Sequence, residues 1–316
     1  MHIPENYISP ESCAVATAVM APVWYTALKK LRNNENNERI PLLGIGAAFS
    51  FLIMMFNLPL PGGTTGHAVG STLIALLLGP WNAVIAVSVA LLVQALFFGD
   101  GGILAFPANA LNLAFIMPFV GYYCYQFLNR ISFFQKYKTV AAFFASYISL
   151  NVAALVTATE LGIQPLLFTN EAGQPLYCPY SWQIAIPAMV IPHLLVAGVA
   201  EGLITSGVLK FIHRSAPELS ITETPKKLKP LYIGLIVILL LVPLGLLAEG
   251  TAWGEWGAED LQQMLGYVPQ QIEKGFSLPV ISPDYTLEGV HEIVAYLIAA
   301  TGGVAFITIL FKLFKR

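Results

Sequence analysis

The chain has 316 residues, of which 56% are hydrophobic and 11% charged, with a mean hydropathy of +0.69. Soluble domains carry roughly 25% charged residues, so this surface cannot face water all round. The net charge of −2 excludes the basic footprint of a nucleic-acid binder, and the three cysteines, Cys13, Cys124 and Cys178, lack both the even count of a disulfide framework and the CxxC spacing of a zinc site.

The first twelve residues, MHIPENYISPES, contain two Glu and no Lys or Arg. The basic flank of a signal peptide is missing, so the first apolar run is expected to stay as a membrane helix. Met1 is expected to stay as well, because His2 is bulky. A bilayer core of ~30 Å takes ~20 mostly apolar residues per helix. Candidate segments lie near 11–30, 40–57, 68–79, 82–98, 103–128, 139–161, 183–211, 231–248 and 290–314. The third is short and sits between Gly66 and Pro80. The expected fold is an all-α polytopic bundle of about nine apolar segments.

Basic residues set the orientation. With the N-terminus outside and the C-terminus cytoplasmic, fifteen of the sixteen Lys and Arg fall on the cytoplasmic side, and only Lys274 falls outside. That is the positive-inside pattern. It requires the third segment, or an equivalent, to cross; otherwise every later loop changes side. The outer stretch 249–289 then holds Glu249, Glu255, Glu259, Asp260, Glu273, Asp284 and Glu288. An acidic outer face concentrates cations, although ordinary solvation also explains it. The polar stretch 213–230, HRSAPELSITETPKKLKP, reads as a cytoplasmic linker with three prolines. It separates a unit at 1–212 from a two-helix extension at 231–316.

The dipeptide Met1-His2 has particular chemistry. A free amine, the His2 amide nitrogen and the His2 imidazole can close a five-membered and, through Nδ1, a six-membered chelate ring on one ion. Three nitrogens in a plane suit a square-planar ion and ask for a fourth. The amide must lose its proton, so affinity falls at low pH. A His after Met1 is by itself usually accidental. The loop 57–70, NLPLPGGTTGHAVG, supplies a second imidazole, His67, beside glycines that permit tight turns. A lone His there is more often structural, yet the topology puts it on the same side as His2.

These residues resemble a known family. MHIPENYISP, PGGTTGHAVG, LLGPWNAVIA, QALFFGDGGI and ANALNLAFIMPFVGY are similar, in this order, to the CbiM/NikM proteins, the substrate-binding subunits of energy-coupling-factor importers for cobalt and nickel. The tail, with AEGTAWGEWG, GYVP and PDY, resembles the small-subunit-like extension fused to some members. The resemblance implies a seven-helix binding unit with the N-terminal segment tucked into its centre, plus two C-terminal helices. It implies metal ligands at Met1, His2 and His67, no cofactor, and Ni²⁺ or Co²⁺ as cargo. It also implies a transmembrane coupling subunit and paired ATPases as partners, in a prokaryotic inner membrane. The family often has Gly after the acidic fifth residue; here Asn6 follows Glu5. Asn is the next best residue at positive φ, so the turn is expected to survive.

Other polar residues are secondary candidates. Gln94, Asn109 and Asn112 lie in apolar segments and can hold the N-terminal loop or His67 in place, or simply join helices. His193 and Glu201 are intramembrane ionisable groups, functional candidates by default. Asp100, in FFGDGG, reads as a turn or cap. Ala14 with Ala18, and Gly44 with Ala48, recur four apart and offer faces for the coupling subunit. The chain contains no GxxxxGK followed by Ser or Thr, so if transport uses ATP, other chains must bind it. A membrane-embedded metalloenzyme and a metal channel or carrier are the competing readings. The enzyme needs an open metal position and a general base beside it, and no additional His/Glu pair suggests one.

Overall fold

The computed structural model describes residues 1–33, 40–215 and 228–314. It is mostly helical with almost no sheet. Helix α1 spans Pro10–Asn33. Its start is set by Ser9, whose hydroxyl accepts the Ser12 amide at 3.1 Å, and its ends carry charges matched to the helix dipole, Glu11 first and Lys30 and Arg32 last. Helix α2, Ile40–Met54, leads into a small hairpin, β1 Leu58–Leu60 and β2 Thr64–Gly66. The strands pair antiparallel, with Leu58 opposite Gly66, and Gly62 and Gly63 take the positive φ values of the turn, 96° and 74°. Helix α3, Ser71–Leu78, follows.

The remaining long helices are α4 (Pro80–Phe98), α5 (Phe106–Leu128), α7 (Lys138–Leu167), α8 (Trp182–Ser215), α9 (Lys229–Leu247) and α12 (Glu292–Leu313). All six are long and apolar enough to cross a membrane. Three short helices lie between them: α6 Ser132–Lys136, α10 Ala258–Leu265 and α11 Gln270–Lys274. Helix α7 packs against α5 and α8, while α2 sits between α4 and α12. One continuous apolar core runs through both parts of the chain, from Met1 and Ile3 to Tyr296 and Phe311.

The structure departs from the sequence reading in several places. Among the described residues six helices are long and apolar enough to cross a membrane, against about nine expected apolar segments. Helices α1, of 24 residues, α2, of 15, and α3, of eight, are not among those six. At 1.5 Å per residue α3 is about 12 Å long, less than half a bilayer core. The expected linker begins as helix, since α8 runs on to Ser215, and α9 already starts at Lys229; most of the segment between lies outside the described residues. The acidic stretch carries the two unforeseen helices α10 and α11. Gly44 and Ala48 do not form an open docking face. They are packed inside the chain, with Phe311 of α12 so near Gly44 that an added Cβ would lie 3.2 Å from it. Ala14 and Ala18 are exposed on α1.

Candidate metal centre

The first nine residues form an irregular strand threaded into the bundle, with Met1, His2 and Ile3 at 2%, 2% and 0% exposure. A buried irregular strand must pair its backbone groups, and its neighbours do so one residue at a time. The Asn109 amide grips Ile3 from both sides: its Oδ1 accepts the Ile3 amide at 2.7 Å and its Nδ2 donates to the Ile3 carbonyl at 3.0 Å. The Gly102 amide donates to the same carbonyl at 2.9 Å. Glu5 accepts the amides of Ile103 and Leu104. Gly102 has to be glycine, because a Cβ there would stand 2.7 Å from the Glu5 nitrogen. Asn6 takes φ 65°, the left-handed turn expected of it. Its side chain uses the position further, accepting from the Phe276 amide at 3.0 Å and donating to the Phe276 carbonyl at 2.8 Å.

His67 arrives from the hairpin. Beyond β2 the chain runs without regular structure to Gly70, whose φ of 73° opens α3 and whose missing side chain leaves room for Phe49. The exposed amides of that stretch are taken by Glu201 of α8, which accepts Val69 N–H at 2.8 Å and Gly70 N–H at 3.1 Å. The Ser50 hydroxyl donates to the Val69 carbonyl at 2.8 Å. The His67 and His2 rings lie with centroids 4.8 Å apart, tilted by 32°. The Met1 amine, near both, faces Glu255 Oε1 at 3.7 Å.

Hydrogen bonding fixes which imidazole nitrogens are open. His67 Nδ1 donates to the Ala68 carbonyl at 3.1 Å, leaving the Nε2 lone pair free. His2 Nδ1 lies 2.6 Å from Asp100 Oδ1. Asp100 Oδ2 in turn accepts from Tyr285 Oη at 2.5 Å and Gln94 Nε2 at 3.1 Å. Burial alone would raise the Asp100 carboxyl, but the His2 charge and hydrogen bond, with help from His67 and Tyr285, outweigh it and hold it well below the usual carboxylate range. The Nε2 atoms of His2 and His67 are buried with no hydrogen-bond partner among the described residues.

Met1, His2 and His67 are thus brought together, and Gln94 and Asn109 support them, Gln94 through Asp100. Asn112 is elsewhere: its Nδ2 donates to Thr157 Oγ1 and Glu160 Oε2, joining α5 to α7. Sequence reasoning gave Asp100 only a turn or cap, placed Glu255 only among the acids of the outer stretch, and did not single out Tyr285. The FGDGG context of Asp100 was the available signal, since glycines on both sides let a backbone approach another segment. Among the described residues no group of three His, Cys, Asp or Glu side chains is placed to hold a metal.

A buried cluster of one amine and two imidazoles in a bundle with six helices of membrane-spanning length and apolarity fits a class, the membrane proteins that handle transition-metal ions. The comparisons agree. Residues 2–219 match the family model CbiM, described as the cobalt uptake substrate-specific transmembrane region. The chain is 47% identical to the "Probable fused nickel transport protein LarMN" of Lactiplantibacillus plantarum, covering 99% of this chain and 97% of that one. It is 45% identical to the "Fused nickel transport protein NikMN" of Rhodobacter capsulatus, covering 97% and 95%. A crystal structure described as a truncated transition metal transporter superimposes with a TM-score of 0.64 at 50% identity, covering 68% of this chain and 99% of its own. The chain belongs to the CbiM family of metal-uptake transmembrane proteins.

Proposed function

We propose that the protein captures a divalent transition metal on the outer side of a prokaryotic inner membrane and passes it inward as the substrate-specific subunit of an ATP-driven importer. The observation that carries this reading is the meeting of the Met1 amine with the imidazoles of His2 and His67 in a buried pocket. The amine, the His2 amide nitrogen and His2 Nδ1 form the chelate, and His67 Nε2 supplies the fourth nitrogen. Loading through Nδ1 requires the His2 ring to leave Asp100, and the amine to leave Glu255. Capture therefore exchanges two ionic contacts for metal bonds.

Four nitrogens in one plane favour Ni²⁺, and the two full-length relatives quoted above are named for nickel; Co²⁺ is the alternative cargo. A plane filled by four nitrogens leaves no equatorial position for a reacting substrate, which weighs against an enzyme. The coupling subunit and the ATPases are separate chains, since this sequence has no phosphate-binding loop.

We read the hairpin arm as part of the third crossing. The non-helical residues from Gly66 to Gly70 add their length to the about 12 Å of α3, so that arm and helix together serve a bilayer core of ~30 Å. Such a broken segment is tolerated at membrane depth only where protein satisfies its backbone, and Glu201 with Ser50 does so here.

The test is a Ni²⁺ titration of the full-length chain with and without one extra residue before Met1. The extension moves the amine out of the chelate and is expected to abolish tight binding. Unchanged affinity overturns the proposed ligand set.

A further inference from the structure

His193 sits at the Pro192 break in α8, where the helix widens into a π-turn over His193–Ala197. Such turns are frequent at functional sites. The ring is 3% exposed. Its Nδ1 donates to the Met189 carbonyl at 2.6 Å, which fixes the tautomer and leaves an unprotonated Nε2. That nitrogen is buried and has no hydrogen-bond partner among the described residues. A neutral imidazole oriented through Nδ1 with Nε2 open is the arrangement of a metal ligand.

The open nitrogen does not point at random. A Cβ on Gly66, next to His67, would lie 3.9 Å from it. His193 also lines a cavity of about 10 Å³ together with Met1, Thr64, Thr65, Met189 and Trp253. That is space for roughly one water molecule or one ion. Met1 therefore belongs both to the capture cluster and to the lining of this cavity, and Gly66, the neighbour of His67 in the chain, faces the His193 ring. His193 lies eleven residues along α8 from Trp182, about 16 Å from that end of the helix.

We infer that His193 Nε2 is a hand-off ligand: it takes the divalent ion from the Met1/His2/His67 set when the ion moves inward. Ligands are exchanged one at a time, with Met1 bridging the two positions. No bare ion then has to form in the apolar interior, where an unpaired charge is very costly. This inference rests on the proposed capture site, and the experiment separates the two.

The full chain with an unextended Met1 is loaded with Ni²⁺ and mixed with a coloured chelator, so that equilibrium affinity and exchange rate are both read. Two substitutions divide the His193 ring. His193→Asn keeps a donor where Nδ1 stands, toward the Met189 carbonyl, and removes the Nε2 lone pair. His193→Gln places a polar atom near Nε2 instead. His193→Asn is expected to slow exchange by about tenfold or more while affinity stays within about threefold, with partial recovery in His193→Gln. Wild-type exchange in His193→Asn with slow exchange in His193→Gln overturns the hand-off, because it shows a purely structural bond to Met189. Loss of affinity in His193→Asn as large as in His67→Ala also overturns it, making His193 a capture ligand. If His67→Ala binds and exchanges like wild type, the capture site itself falls and the hand-off with it.

A second measurement leaves position 193 intact. X-ray absorption of Ni²⁺ bound to His67→Ala is expected to report two imidazole donors, His2 and His193. A single imidazole overturns the inference even if the substitutions at 193 fail to fold.

Discussion

At the residue scale the site depends on holding a flexible chain end still. Asn109 is the main clamp, because both backbone groups of Ile3 bond to one amide. Leaving a buried backbone group unpaired costs about 1–3 kcal/mol. Asn109→Leu strands the Ile3 N–H, while the carbonyl keeps Gly102. Ni²⁺ affinity is therefore expected to fall about tenfold or more, together with a drop in thermal stability, since Met1 and Ile3 belong to the core. Asn109→Asp keeps the acceptor for Ile3 N–H and should lose less; a Ni²⁺ titration of both variants checks the order. Asn6 illustrates how much was legible. Its left-handed turn followed from residue chemistry alone, because Asn tolerates positive φ. The bonds to Phe276 did not, because residues 270 apart in sequence leave no local signal of contact. Asn6→Gly should keep the turn and lose that link, whereas Asn6→Val should strain the turn by about 1–2 kcal/mol, a difference visible in the melting temperature.

At the element scale the segment after the hairpin matters most. Hydrophobicity marks 68–79 as apolar, but it cannot tell an eight-residue helix joined to an extended arm from a complete span. The deciding partner, Glu201, is 131 residues from Gly70 in sequence. Its carboxylate is placed to neutralise two adjacent backbone amides that helix formation would otherwise satisfy. Glu201→Leu removes both bonds from a buried stretch, and a loss of about 2–4 kcal/mol is expected from two buried amides left unpaired. The arm carrying His67 should loosen, so Ni²⁺ affinity falls together with thermal stability. Glu201→Gln retains one acceptor oxygen and should fall between. A Glu201→Leu variant with native affinity would mean that the hairpin and Ser50 alone hold His67. The same logic applies to Asn112: sharing a helix face with Asn109 is a statement about α5, and its bonds to Thr157 and Glu160 of α7 are the helix-joining alternative that the sequence also allows.

At the scale of the whole molecule the two parts of the chain are less separate than their sequence suggests. The polar stretch at 213–230 marks a division in sequence, yet the extension reaches the centre of the candidate site at several points. Glu255 faces the Met1 amine, Tyr285 donates to Asp100, and the Tyr7 hydroxyl donates to the Trp256 carbonyl at 2.6 Å. The Thr65 amide also donates to the Thr251 carbonyl at 3.3 Å, beside a bridge between Thr65 and Ala252. The extension thus closes the pocket from the side on which the N-terminal segment enters. Removing residues 228–316 should leave residues 1–9 with Asp100, Gly102, Ile103, Leu104, Asn109, Gln164 and Cys178 as partners but without Glu255, Asn6's anchor at Phe276, or the Trp256 contact. Amide exchange at Ile3 through Tyr7 is therefore expected to accelerate about tenfold or more, corresponding to the loss of about 1.4 kcal/mol of local protection. Ni²⁺ should also leave the pocket faster. Supplying the extension as a separate chain should restore slow exchange if these contacts carry the effect, since they are non-covalent. Exchange that stays slow after truncation would show that the clamp from α5 and the loop after α4 is enough to seal the site.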